Sequence, residues 1–176
     1  HKGLEPRVSS PATPKEFIAK FSIRFFDGAP TKICPFVEFG HHIVRMRIQD
    51  FGVDLVADYE SMQLAKSTDF KWKMGQWYNC MAELKGEEFV FQIEGGPTLY
   101  ATHKIFTQPP PSGAPGFGTA GPRAGFVEID NVTFWEINGE KDSWAATKKM
   151  MPAFTPIQVR QKPDKTKKKK KTVKKK

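Results

Sequence analysis

Through most of the first 139 positions, apolar and polar residues alternate with a period of two rather than cycling with the 3.6-residue period of a helix. Between 16 and 26, Phe17, Ala19, Phe21, Ile23 and Phe25 fall on one side and Lys20, Ser22 and Arg24 on the other, which predicts a strand with one dry and one wet face. Asp27-Gly28-Ala29-Pro30 is a turn. Strands are predicted over 32–39, over 42–48, where Val44, Met46 and Ile48 oppose Ile43, Arg45 and Arg47, and over 53–58, with Val53, Leu55 and Ala57 toward the core. The alternation breaks from 59 to 74, which reads as a long loop with a short helical turn near 62–66. A hairpin follows, 76–85 and 88–94, turning at Gly86-Glu87, and Gly95-Gly96-Pro97 leads into a strand over 98–102. The Pro- and Gly-rich stretch 108–122 reads as a surface loop, and two last strands, 124–129 and 131–137, meet at a turn on Asp130-Asn131.

Short strands separated by turns, with no long helical period, predict an all-β fold: a two-sheet antiparallel jelly-roll sandwich with a disordered basic C-terminal tail. The sandwich is placed at 1–139, its first fifteen residues an extended entry carrying Pro6, Pro11 and Pro14. Residues 140–161 form a linker with a short helix over 142–151, capped by Asp142 and stopped by Pro152. Residues 162–176 are too polar to bury anything.

Charge changes meaning once it is located. The chain of 176 residues carries a net +9, but residues 160–176 hold ten Lys and one Arg against Asp164 alone. The remaining 159 residues hold 17 basic and 18 acidic side chains, so the folded body is nearly neutral and is not read as a basic nucleic-acid binder. Phe is the dominant aromatic, with 15 copies, and fills a strand core readily. Cys34 and Cys80 are either one disulfide or two buried thiols. No metal-ligand spacing or cofactor motif occurs, and no apolar run is long enough to span a bilayer. The chain opens at His1 with no signal-like segment and reads as a fragment or processed form.

Three stretches carry a family resemblance. Gly40-His41-His42-Ile43-Val44-Arg45-Met46-Arg47-Ile48 is similar to a G-H-x-x-R-x-x-I strand. Gly75-Gln76-Trp77-Tyr78, followed by Leu84-Lys85-Gly86-Glu87 and Phe89-Val90-Phe91, resembles a G-x-W-h … G-d-x-h-x-h hairpin. Gly125-Phe126-Val127-Glu128-Ile129-Asp130-Asn131-Val132 resembles a closing G-x-h-x-h-D-N-V pair. In this order they resemble concanavalin A-like (laminin G-like) jelly rolls of the bacterial 3-keto-disaccharide hydrolase domain group, over roughly 17–137. The resemblance implies an exported, carbohydrate-associated jelly roll, periplasmic or extracellular. Relative to that pattern the entry strands are missing, which implies N-terminal truncation, and the 108–122 loop is long.

Candidate chemistry is sparse. Glu128 and Asp130 sit two apart on a strand and share a face, as a retaining glycosidase pair would, but Val132 and Thr133 stand where a third carboxylate belongs. No catalytic residue is assigned. His42, Arg45 and Arg47 form the densest polar group on any strand and suit sugar hydroxyls, carboxylates or sulfates, the alternative being a surface pair matched to acids such as Asp54. Trp72, in a Lys-Trp-Lys setting on the long loop, is the best exposed aromatic for stacking on a sugar, whereas Trp77 and Trp135 fall in core-like strand patterns. His103 reads as a lone histidine. The tail lysines Lys167, Lys168, Lys169, Lys170, Lys171, Lys174, Lys175 and Lys176 would bind polyanions in a salt-dependent way, nucleic acid only non-specifically.

These readings favour a non-catalytic carbohydrate-associated binding module whose polycationic tail attaches to anionic surfaces or polymers. The alternative is a structural or assembly subunit docking on other proteins, and a third is a hydrolase acting on a modified disaccharide.

Overall fold

The computed structural model describes residues 7–9, 13–26, 36–40, 43–49, 52–57, 60–108, 117–120, 127–137 and 155–158. In chain order the strands are β1 (Arg7–Ser9), β2 (Phe17–Phe25), β3 (Phe36–Phe39), β4 (Val44–Gln49), β5 (Gly52–Ala57), β6 (Met62–Ser67), β7 (Trp77–Lys85), β8 (Glu88–Ile93), β9 (Thr98–Thr102), β10 (Phe117–Ala120), β11 (Val127–Glu136) and β12 (Ile157–Gln158). They make two antiparallel sheets, one of seven strands ordered β1-β10-β3-β4-β5-β6-β12 and one of five ordered β11-β2-β7-β8-β9. The all-β sandwich read from the alternation is the fold observed.

The period-two residues meet between the sheets. Phe17, Phe21, Phe89 and Phe91 from the five-stranded sheet, with Phe39, Met46 and Leu55 from the seven-stranded one, are almost fully buried. Phe39 stands at the centre, its ring centroid 6.0 Å from Phe17, 5.9 Å from Phe21 and 5.2 Å from Phe89. Each such ring contributes roughly 1.5–3 kcal/mol of apolar burial, so the Phe-rich composition is spent on joining the two sheets. Gly52, at the start of β5, has φ +144° and lies so close to β6 that a Cβ would stand 2.3 Å from the Ser67 carbonyl oxygen. That position admits only glycine.

Several expectations are corrected. The segment 59–74 is no loop with a helical turn: it holds β6, paired with β5. Opposite Leu55 and Val56, β6 runs Ala65 and then Gln63, so Leu64 is an extra, buried residue at a bulge. The extra residue inverts the phase of alternation and hides the strand from a period-two reading. The breaker-rich stretch 108–122 contains β10, which bridges β1 and β3, so part of the extended entry also enters the sheet. The two closing strands are one, β11, with a bulge between Asp130 and Thr133. There the Asp130 carboxylate accepts the Asn131 N–H at 2.7 Å and Asn131 adopts φ 55°, turn chemistry inside a continuous strand. From the segment read as a linker, Ile157 and Gln158 pair with β6.

Cys80 is a buried free thiol whose pKa burial pushes up, and its Sγ contacts the Tyr78 carbonyl at 3.9 Å. Cys34, the helix expected at 142–151 and the tail at 162–176 lie outside the described residues.

Candidate functional site

The polar residues of β4 face away from the core on the seven-stranded sheet. Register places Arg45 between Glu38 on β3 and Val56 on β5, and Arg47 between Phe36 and Asp54. Acid thus stands beside base on both flanks of the strand, the cross-strand arrangement in which opposite charges attract. Arg47 grips Asp54 with two parallel bonds, Nε to Oδ1 at 2.9 Å and Nη2 to Oδ2 at 2.5 Å. Gln63 donates from Nε2 to the same Oδ2 at 2.7 Å, its side chain brought there by the β6 bulge. Arg45 donates from Nε to Glu38 Oε2 at 2.5 Å and lies 4.2 Å above the Phe36 ring, a cation–π contact.

Both carboxylates are dry: side-chain exposure is 8% for Glu38 and 0% for Asp54, against 13% for Arg45 and 18% for Arg47. Removing two charges from water costs several kcal/mol per ion before their attraction offsets it, and apolar residues of the same volume often stabilise as well or better. Folding alone therefore does not account for this row. What it provides is a set of planar, oriented polar groups held rigidly at the middle of a sheet face.

The structure unites Arg45 and Arg47 with Glu38, Asp54 and Gln63; of these partners the sequence pointed only to Asp54. Gln63 escaped notice because β6 itself did. His42 lies outside the described residues. Trp72 is not the exposed aromatic that its Lys-Trp-Lys setting predicts. It is half-buried, packs edge-on against Phe25, Phe70 and Tyr78 at 5.0, 4.9 and 4.8 Å, and donates its Nε1–H to the Gly52 carbonyl at 3.2 Å. Trp77 and Trp135, expected in the core, are 40% and 48% exposed on the outer face of the five-stranded sheet. Trp77 lies in register with Arg24, whose guanidinium sits 4.7 Å from its ring. The phase of β7, with Tyr78, Cys80, Ala82 and Leu84 buried, already sets Trp77 outward.

Glu128 and Asp130 do share the outer face of the five-stranded sheet, but each is engaged: Glu128 accepts from Arg24 Nε at 2.8 Å, and Asp130 caps Asn131. His103 is not alone, since its Nδ1 accepts from Ile105 N at 3.2 Å, starting a short 3-10 turn over Lys104–Thr107, and its Nε2 is 3.7 Å from Glu60. Among the described residues no cluster of three His, Cys, Asp or Glu could hold a metal, and no helix is long and apolar enough to cross a membrane.

No protein-family profile and no curated protein matches the sequence. Solved structures do match. Congerin II in complex with lactose and MES superposes with a TM-score of 0.54 at 12% identity, covering 74% of this chain and 100% of its own. The likeness is one of fold. A single mutant of congerin II gives a TM-score of 0.53 at 12% identity over 74% and 100% of the two chains. The carbohydrate binding module CBM66 from Bacillus subtilis gives 0.44 at 13% identity over 73% and 80%. The chain thus shares with congerin II the fold of a two-sheet antiparallel β sandwich.

Proposed function

We propose that this domain is a non-catalytic carbohydrate-binding module whose ligand docks on the outer face of the seven-stranded sheet, against Arg45 and Arg47. The observation that carries the reading is the desolvated row Glu38–Arg45 and Gln63–Asp54–Arg47, a rigid polar array that stability does not require. Planar guanidinium groups match vicinal hydroxyls as well as carboxylates or sulfates. Two further lines support it: the fold is shared with a protein solved with lactose, and the sequence motifs resemble the 3-keto-disaccharide hydrolase domain group. Nothing in the engaged positions of Glu128 and Asp130 calls for hydrolysis.

His42 belongs to the same reading through its position in the sequence, two residues before β4. The lysine-rich tail is proposed as a separate, salt-sensitive attachment to anionic polymers or surfaces, consistent with a module that works outside the cell.

Binding to a panel of neutral and acidic polysaccharides, across a salt series, tests this for the full chain, a truncation after Gln161, Arg45→Met and Arg47→Met. Binding that survives truncation and high salt and falls about tenfold or more in either arginine variant supports the reading, that loss corresponding to roughly 1.4 kcal/mol. Binding that disappears with the tail, or that both arginine variants retain in full, refutes it.

A further inference from the structure

The opposite side of the molecule carries a concavity. The outer face of the five-stranded sheet is hollowed into a groove of about 650 Å³, within the roughly 300–1,000 Å³ usual for small-ligand sites. Its floor is built by alternate residues of three neighbouring strands: Lys20 and Ser22 from β2, Asn79 and Met81 from β7, and Gln92 from β8. Thr133 and Trp135 of β11 line its flank. The bulge between Asp130 and Thr133 decides what that flank presents. By adding one residue opposite Phe21 it inverts the phase of β11, turning Trp135 outward and bringing Asn131 to the rim.

Two properties define the ligand. The groove is electrically balanced, since its ionisable side chains are one exposed cation, Lys20, and one exposed anion, Glu94, with the buried Cys80 thiol beneath. Arg24 and Glu128, beyond it, are paired with each other. Neither an anionic nor a cationic ligand is selected. The remaining polar lining is hydroxyl and amide, and part of it is oriented in advance: Ser22 Oγ donates to Asn79 Oδ1 at 2.8 Å, and Asn79 Nδ2 donates to Glu94 Oε2 at 2.7 Å. Lys20, Gln92 and Thr133 make no side-chain hydrogen bond among the described residues and open onto the groove. Beside these groups stands the indole of Trp135, 48% exposed. Hydroxyl and amide groups with one aromatic face suit a ligand that is uncharged, rich in hydroxyls and apolar on the faces of its rings.

We infer that this groove is a second binding site, for a short neutral oligosaccharide that stacks one ring on Trp135 and hydrogen-bonds Gln92, Thr133, Lys20 and the Glu94 carboxylate. A protein partner is less well matched, because interface centres are depleted of charged residues, whereas this groove carries Lys20 and Glu94. The inference stands apart from the arginine face, from which it is separated by the full thickness of the sandwich.

The test uses the full chain on an array of neutral and charged oligosaccharides, followed by tryptophan-fluorescence titration of the neutral compounds bound. The expected result is at least one neutral ligand whose affinity falls about tenfold in Trp135→Ala and several-fold in Gln92→Ala, with thermal unfolding unchanged in both. A loss with Trp135→Ala that Arg47→Met does not reproduce assigns the binding to this groove and separates it from the arginine face. No neutral ligand on the array overturns the inference, as does binding that both groove variants keep. Concentration-dependent self-association abolished by Trp135→Ala, without saccharide binding, also overturns it, in favour of a protein-docking face.

Discussion

On the seven-stranded sheet Arg47 meets Asp54 with the carboxylate 0% exposed; on the five-stranded sheet Arg24 meets Glu128 with 31% and 44% of the two side chains in water. Both are cross-strand arginine–carboxylate pairs on an outer face, and each arginine offers its fork to one acid. Their surroundings differ. Asp54 also receives Gln63 and is closed off, while Glu128 is open and Arg24 rests against Trp77 and Phe26 at 4.7 and 4.9 Å. The same chemistry therefore has two energetic meanings. The dry pair is costly to assemble and costlier to break singly, whereas the wet pair is close to neutral either way.

Substitutions can break this contrast. Asp54→Leu removes the bidentate acceptor from a half-buried guanidinium, and chemical denaturation should show a loss of about 3–5 kcal/mol. The double variant Arg47→Met/Asp54→Leu should recover most of that loss. If the double variant is as unstable as the single, the pair is not the origin of the cost. Next in size, Gly52→Ala forces a side chain into the Ser67 carbonyl from a backbone conformation that L-residues avoid. It should cost about 1–3 kcal/mol in thermal or chemical unfolding. On the wet side, Arg24→Ala should cost about 0–1 kcal/mol, shrinking further at high salt as screening shortens the reach of exposed charges. Smallest is Trp135→Ala, an exposed position where a change within about 0.5 kcal/mol is expected, alongside the loss of saccharide affinity proposed above. A large stability loss on the dry face, against affinity lost without stability at the groove, would sharpen the comparison to its limit.

The two faces also differ in how visible they were. Arg45 and Arg47 announced themselves by alternating with Val44, Met46 and Ile48, and Asp54 fell on the outward phase of the next strand. Glu38, held by Arg45, shares the outward phase of β3 with the apolar Phe36, so the strand shows no clean alternation. The groove could not be seen, because its parts come from 20–22, 79–81, 92–95 and 131–135 and meet only when the sheet forms.

What the chain determines by itself is the period: nine consecutive positions of β2 alternate in burial with the single exception of Ser22, and that suffices to give an all-β sandwich with a phenylalanine core. A period of two says which residues share a face for as long as the phase holds. It does not reveal where the phase is reset. At Leu64 and again at Asn131-Val132 one extra residue resets it. Each reset depends on backbone pairing with a strand already in place, β5 in one case and β2 in the other. One bulge delivers Gln63 to Asp54, and the other turns Trp135 into the groove. Both candidate sites thus owe a defining side chain to a register that only tertiary pairing could set, because the hydrogen-bond ladder and not the local sequence chooses where a residue is left over.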